Sequence, residues 1–151
     1  MNIKKLSIKY NLNKIKEELN LFNYTDNQIS LQYHKDCEGL GSVKYIKYDE
    51  KEYTTSKIPE NSEIQKFIKD NFLYRTRVMK ILPKTCYSFH SDYSKRIHLA
   101  VQTDERCKIA FEDECIHVPA DGYGYLIDTT KKHTAFNGTF NCERIHIVGC
   151  I

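Results

Sequence analysis

The chain has no tryptophan, only three prolines and only six glycines in 151 residues. So few breakers exclude collagen-like sequences and Pro- or Gly-rich linkers. No internal period marks a solenoid or propeller. Neither sign of charge dominates, since 23 basic residues stand against 20 acidic ones. Lys and Glu are interspersed, and Lys131-Lys132 is too short a run for a nucleic-acid surface, so no nucleic-acid partner is expected. No apolar run has the length of a membrane span or a signal-peptide core, so no membrane partner is expected and the expected compartment is the cytoplasm. None of the six cysteines forms a C-x-x-C pair, which excludes the spacing of zinc-ribbon and thioredoxin-like sites. Buried free thiols are the expectation.

What is present is aromatic and β-prone. Tyr occurs 11 times and Phe seven times, and apolar residues make up 40% of the chain. A chain of this length makes about one domain and can bury about 68–70% of its unfolded surface without staples. Leu12, Ile15, Leu19 and Phe22 recur at helical spacing over residues 11–22. Residues 29–33 and 42–48 read as extended, separated by a turn at Gly39-Leu40-Gly41. Asn61 or Ser62 can cap a second helix reaching residue 72, with Ile64, Phe67, Ile68 and Phe72 facing inward.

From Tyr74 onward the texture changes to short β-type runs divided by turns. They are Arg75–Ile81, Thr85–Phe89, Arg96–Thr103, Lys108–Phe111, Cys115–Val118, Gly124–Asp128, Thr134–Asn137 and Arg144–Val148. Many short strands at regular intervals point to a β-sandwich or barrel, with the helices packed in front.

His90-Ser91-Asp92 places an imidazole and a carboxylate two positions apart. On a strand such residues share a face, so the pair can bind one metal if the strand Thr85–Phe89 continues through it. The spacing alone is weak. With six His and 20 acidic residues in the chain, roughly one such pair arises by chance, and a second exists at His34-Lys35-Asp36. That second pair precedes a Cys- and Gly-containing loop and reads as a polar turn.

His90 instead leads into a run in which Arg96, His98 and Ala100 share one face and Ile97, Leu99 and Val101 the other. Arg144 and His146 share a face in the same way, opposite Ile145 and Ile147. His133 stands just before Thr134. These polar faces look either to solvent or into the polar cavity of a barrel. His146 reads equally as a partner of the site and as a plain strand residue. Tyr87, Tyr93, Tyr123 and Tyr125 read as packing residues first and as mouth-lining residues second.

Taken in order, Leu82-Pro83, His90-x-Asp92, Arg96-x-His98, Asp121-Gly122, Asp128, His133-x-x-x-Asn137 and Arg144-x-His146 form a pattern. It resembles the aspartyl/asparaginyl β-hydroxylase family of iron(II)- and 2-oxoglutarate-dependent dioxygenases, and is similar to the bacterial proline hydroxylases. The resemblance covers residues 74–151 and leaves 1–73 as an α/β portion packing on that core within a single domain. It implies a mainly β fold with flanking helices, a double-stranded β-helix or cupin-like jelly-roll barrel. By the same resemblance His90, Asp92 and His133 are the catalytic iron(II) ligands. Arg144 pairs with the distal carboxylate of 2-oxoglutarate, and Arg96 and His98 line the co-substrate pocket.

The implied reaction uses dioxygen to hydroxylate an amino acid or amino-acid side chain, releasing succinate and carbon dioxide. Some members of the β-hydroxylase branch lack the acidic ligand, whereas Asp92 is present here. The chain is also short, so a small molecule or short peptide is the expected substrate. Two other readings fit the same residues: a cupin-type binding protein without turnover, and a cupin metalloenzyme using another divalent ion.

Overall fold

A computed structural model describes residues 1–22, 26–37 and 48–151. The expected turn at Gly39-Leu40-Gly41 and most of the expected extended run 42–48 lie outside the described residues. The N-terminal portion contains β1 (Ile3–Lys9), α1 (Leu12–Leu19), β2 (Gln28–Ser30), β3 (Gln32–Tyr33), β4 (Thr55–Ser56) and α2 (Glu63–Asp70), with a short 3-10 turn at Glu50–Glu52 before β4. Eight strands follow: β5 (Tyr74–Ile81), β6 (Thr85–Cys86), β7 (Arg96–Gln102), β8 (Cys107–Phe111), β9 (Cys115–Ile116), β10 (Tyr123–Ile127), β11 (His133–Asn137) and β12 (Arg144–Cys150).

Both helices begin where side chains satisfy free backbone N–H groups. The Asn11 side chain accepts from the Lys14 N–H at 3.1 Å, and Ser62 accepts from that of Gln65 at 3.0 Å. The Glu18 carboxylate of α1 also accepts from the Glu63 and Ile64 N–H groups, which places a negative charge at the start of α2. The second helix stops earlier than its spacing predicts. Phe72 turns out to solvent at φ +53°, and Leu73 takes the buried position instead. One residue in the left-handed region is enough to rotate the apolar stripe off Phe72.

The eight C-terminal strands divide between two antiparallel sheets. The larger runs β1-β10-β7-β12-β5-β2 and the smaller β6-β11-β8-β9. Within each, the strands of the first and second halves of the run alternate as neighbours. That winding is a double-stranded β-helix, a jelly roll closed by two facing sheets. The edge strand β1 was not legible in the sequence. It pairs with β10, with Ile3 opposite Ile127, but most of its side chains are exposed and so show no clear alternation. The expected strand 29–33 is broken at Leu31 into β2, which pairs with β5, and β3, which pairs with β4.

Alternation along the large sheet separates two cores. Ile97, Leu99, Val101 and Ile147 point outward and pack under Ile15, Leu19, Ile64, Phe67 and Ile68 of the helices. Ala100, Tyr125 and Ile127 point inward against Ile109, Phe111 and Val118. The helices therefore cover the outer face of the large sheet, and the space between the sheets is shared by the second apolar cluster and the polar residues. All six cysteines are free, but only Cys107 and Cys150 are buried; Cys86 and Cys115 are exposed.

Candidate metal centre

The site forms where the end of the small sheet meets the irregular segment after β6. That strand is shorter than expected and ends at Cys86, so strand continuity does not aim His90 and Asp92. A pair of backbone bonds does so instead. His90 and His133 exchange N–H···O bonds of 2.9 Å in each direction, and the Asp92 N–H donates to the Thr129 carbonyl at 2.9 Å. Three separated residues are thus brought together by main-chain pairing.

His90 Nε2 lies 3.6 Å from Asp92 Oδ1, and His133 Nε2 lies 3.8 Å from Asp92 Oδ2. All three ligand atoms fall within 4.8 Å of one another. Ligand atoms about 2.0–2.2 Å from a shared ion sit about 3 Å apart at right angles, so a small rotation of each side chain closes the triad. The Nδ1 atoms are already committed. That of His90 faces the Ser88 carbonyl at 2.8 Å, and that of His133 faces the Lys131 carbonyl at 2.8 Å. A carbonyl only accepts, so each ring carries its proton on Nδ1 and offers the Nε2 lone pair. Burial also lowers the His133 pKa, which favours the neutral form a metal requires. The residues therefore fit a divalent ion. Among the described residues, no other His, Cys, Asp or Glu cluster has this geometry.

Behind Asp92 stands an ionic network rooted in the N-terminal portion. Arg96 Nε lies 3.6 Å from Asp92 Oδ2, and Arg96 Nη2 donates to Glu50 Oε1 at 2.8 Å. Arg75 Nη1 reaches the same Glu50 oxygen at 3.2 Å, and the Ser94 hydroxyl donates to Glu50 Oε2 at 2.9 Å. Burial alone would raise the Glu50 pKa, but Arg96, Ser94 and Arg75 outweigh it and hold the carboxyl below its ordinary value. Arg96 thus lines the cavity with its charge already shared between two carboxylates. Glu50 carried no signal in the sequence, because its partners lie on β5 and β7, 25 and 46 positions away.

Arg144 is in a different state. It is buried at the start of β12, lines the same cavity as the triad, and has no carboxylate partner among the described residues. Its Nη2 donates to His146 Nδ1 at 2.7 Å, and His98 Nδ1 lies 3.2 Å from the same atom. A guanidinium only donates, so His146 accepts at Nδ1 and carries its proton on Nε2, which is buried without a partner. Burial and the Arg144 charge push the pKa of both His98 and His146 well below the ordinary histidine value, so both stay neutral. Burial brings Arg144 itself down to about 10, still charged at neutral pH.

The triad, Arg77, Tyr87, Arg96, His98 and Arg144 all line one cavity of about 70 Å³. Its rim is open at His90, whose side chain is 40% exposed.

No protein-family model and no curated protein sequence matches the chain. Solved structures do. A cupin-2 domain containing protein from Shewanella frigidimarina is similar with a TM-score of 0.38 and 19% identity, over 50% of this chain and 69% of its own. IDO from Bacillus thuringiensis is similar with a TM-score of 0.52 and 10% identity, over 99% of this chain and 89% of its own. The jelly-roll fold rests on the chain's own sheet topology. The second likeness extends through the N-terminal portion as well as the barrel, and at that identity it is one of fold alone.

Most of the remaining sequence candidates fall outside the cavity. His34 is buried, stacked on Tyr48 with ring centroids 3.6 Å apart, and its Nδ1 accepts the Asp36 N–H at 3.0 Å within a turn. Of the four tyrosines considered for the mouth, only Tyr87 lines the cavity. Tyr93 is exposed, Tyr123 lies under Lys5, and the Tyr125 hydroxyl donates to Asp121. Asn137 organises the turn after β11. It donates to the carbonyls of Ile81 and Cys142 and accepts from Thr139. Gly122 sits at φ +85°, where a Cβ would come within 2.8 Å of the Tyr10 carbonyl, so the Asp121-Gly122 pair serves a turn.

Proposed function

We propose that this protein is an iron(II)- and 2-oxoglutarate-dependent dioxygenase that hydroxylates an amino acid or amino-acid side chain. The observation that carries the reading is one cavity holding both a two-histidine, one-carboxylate triad and a buried guanidinium with no carboxylate partner among the described residues. Two imidazoles and one carboxylate suit iron(II) and leave further coordination positions for ligands. In this reading His90, Asp92 and His133 hold the metal, and Arg144 pairs with one carboxylate of 2-oxoglutarate through directional hydrogen bonds. Bound iron(II), with 2-oxoglutarate and dioxygen as co-substrates, would supply hydroxylation of an unactivated C–H bond, with succinate and carbon dioxide as co-products.

The chain's own residues hold and orient. The Ser88 and Lys131 carbonyls fix the two imidazole planes. The Glu50–Arg96 pair backs Asp92. His146, accepting from Nη2, sets the rotation of the Arg144 guanidinium. Tyr87 lines the same cavity as Arg144, its hydroxyl donates to the Lys80 carbonyl at 3.3 Å, and burial raises its pKa, so the hydroxyl stays protonated.

The test is oxygen-dependent conversion of 2-oxoglutarate to succinate by the iron(II)-loaded protein, together with anaerobic titration of 2-oxoglutarate followed by visible absorption. Succinate formation that requires iron(II) and fails in Arg144→Gln supports the reading. Metal binding without any 2-oxoglutarate affinity would instead favour a cupin metalloenzyme of another kind or a binding protein.

A further inference from the structure

Positive charge is left over in the cavity once Arg144 is assigned. Arg75 and Arg96 share Glu50, but Arg77 has no carboxylate partner among the described residues. Its Nη1 donates to the Gln28 side-chain oxygen at 3.1 Å, and its Nε is sealed from solvent with no partner at all. The residue is 4% exposed and lines the cavity that contains the triad. Burial and the neighbouring Arg75 charge lower its pKa to about 10, so it is still a cation at neutral pH. A buried unpaired guanidinium is strongly unfavourable, and removing it in favour of an apolar side chain would relieve the fold. Its position at the cavity wall makes it available to a ligand bound there.

Arg77 and Arg144 are not two halves of one clamp. Arg77 pairs with Val148 and Arg144 with Ile81 on the same two strands. Their positions are therefore separated along the ladder by about 13 Å at roughly 3.3 Å per residue. Arg77 stands in one row with Val148 and His98, two positions from Arg96, which touches Asp92, whereas Arg144 lies four positions further along β12. One cation thus stands toward the Asp92 side of the cavity and the other toward the opposite end.

Building on the co-substrate reading above, in which Arg144 takes a carboxylate of 2-oxoglutarate, we propose that Arg77 binds a carboxylate of the primary substrate. The guanidinium edge that carries the unpaired Nε–H can meet both oxygens of such a group. The substrate class is then a carboxylic acid whose acid group is buried with the reacting end, and amides, amines and esters of the same skeleton are excluded. Discrimination of this kind is large, because a site built for a charged partner leaves it unpaired when the analogue lacks it.

The experiment uses the full chain loaded with manganese(II), without oxygen, with and without 2-oxoglutarate. The probes are free amino acids, small mono- and dicarboxylic acids and short peptides, each beside its carboxamide. Binding is read by calorimetry and by the shift in melting temperature. Expected is at least one acid that binds tenfold or more tightly than its amide. Arg77→Gln and Arg77→Met should abolish that preference while holding 2-oxoglutarate affinity within threefold, and Arg77→Lys should retain part of it. Arg77→Met should melt no lower than the parent without ligand, which separates lost recognition from lost folding.

The proposal is overturned if no acid in the panel binds in preference to its amide, if the preference survives Arg77→Gln, or if Arg77→Gln weakens 2-oxoglutarate as Arg144→Gln does. Failure of the parent protein to bind 2-oxoglutarate overturns the co-substrate reading alone. The acid-against-amide comparison on the metal-loaded protein still decides the role of Arg77.

Discussion

At the scale of residues, the chemistry depends on which polar atoms are already committed. His90 and His133 each spend Nδ1 on a carbonyl two positions upstream, and this leaves Nε2 available. Asp92→Ala should remove metal binding measured by calorimetry, and with it turnover. His34→Ala should leave metal affinity unchanged, because His34 is stacked on Tyr48 outside the cavity. Equal loss in both would mean that the other His-x-Asp pair is the functional one. Glu50 acts one step further back. Glu50→Gln keeps the shape but leaves Arg75 and Arg96 without their shared charge, at a cost of about 3–5 kcal/mol. Metal affinity should fall about tenfold as Asp92 loses its support. Urea unfolding and metal titration read the two effects separately.

At the scale of elements, alternation along β7 and β12 does most of the sorting. One face of each strand feeds the helix-covered core and the other feeds the cavity. Close approach of the helical layer is set at Gly149, where a Cβ would come within 2.6 Å of Leu73 Cδ1. Gly149→Ala should therefore destabilise the protein by about 1–3 kcal/mol through overpacking, seen as a lower denaturation midpoint. The predicted strands of the barrel were legible because β-branched and aromatic residues are bounded by turns. The edge strand β1 was not, because it buries little beyond Ile3 and Leu6 and its register comes from β10. The segment from Cys86 to Arg96 was misread for a related reason: it is held by hydrogen bonds to distant carbonyls, which leave no local period.

At the scale of the molecule, the barrel encloses basic groups that water would otherwise solvate. His98 and His146 are held neutral, with folded pKa values far below the ordinary value near 6.5 that applies in the unfolded chain. Between those limits the unfolded chain binds more protons than the folded one, so stability falls as pH drops below about 6.5 and is unaffected by these groups above it. Each histidine contributes about 1.4 kcal/mol per pH unit in that window. Urea midpoints of the metal-free protein between pH 7.5 and 5 should show this acid limb, and His146→Gln should make it shallower. An unchanged slope would show that His146 is not held neutral.

The sequence by itself determined the order of β-type runs after Tyr74, the apolar stripes of both helices, and the sharing of a strand face by Arg96 with His98 and by Arg144 with His146. Each of those follows from the fixed periods of strand and helix, which act over a few residues. Tertiary structure alone decided that His90, Asp92 and His133 meet, that Arg96 is tied to Glu50, and that Arg77 and Arg144 are left without carboxylates among the described residues. Those outcomes depend on pairings across 25 to 46 positions of chain and on which charges burial leaves uncompensated. Neither has a period that can be read along the chain, because the burial of a charge is a property of everything packed around it.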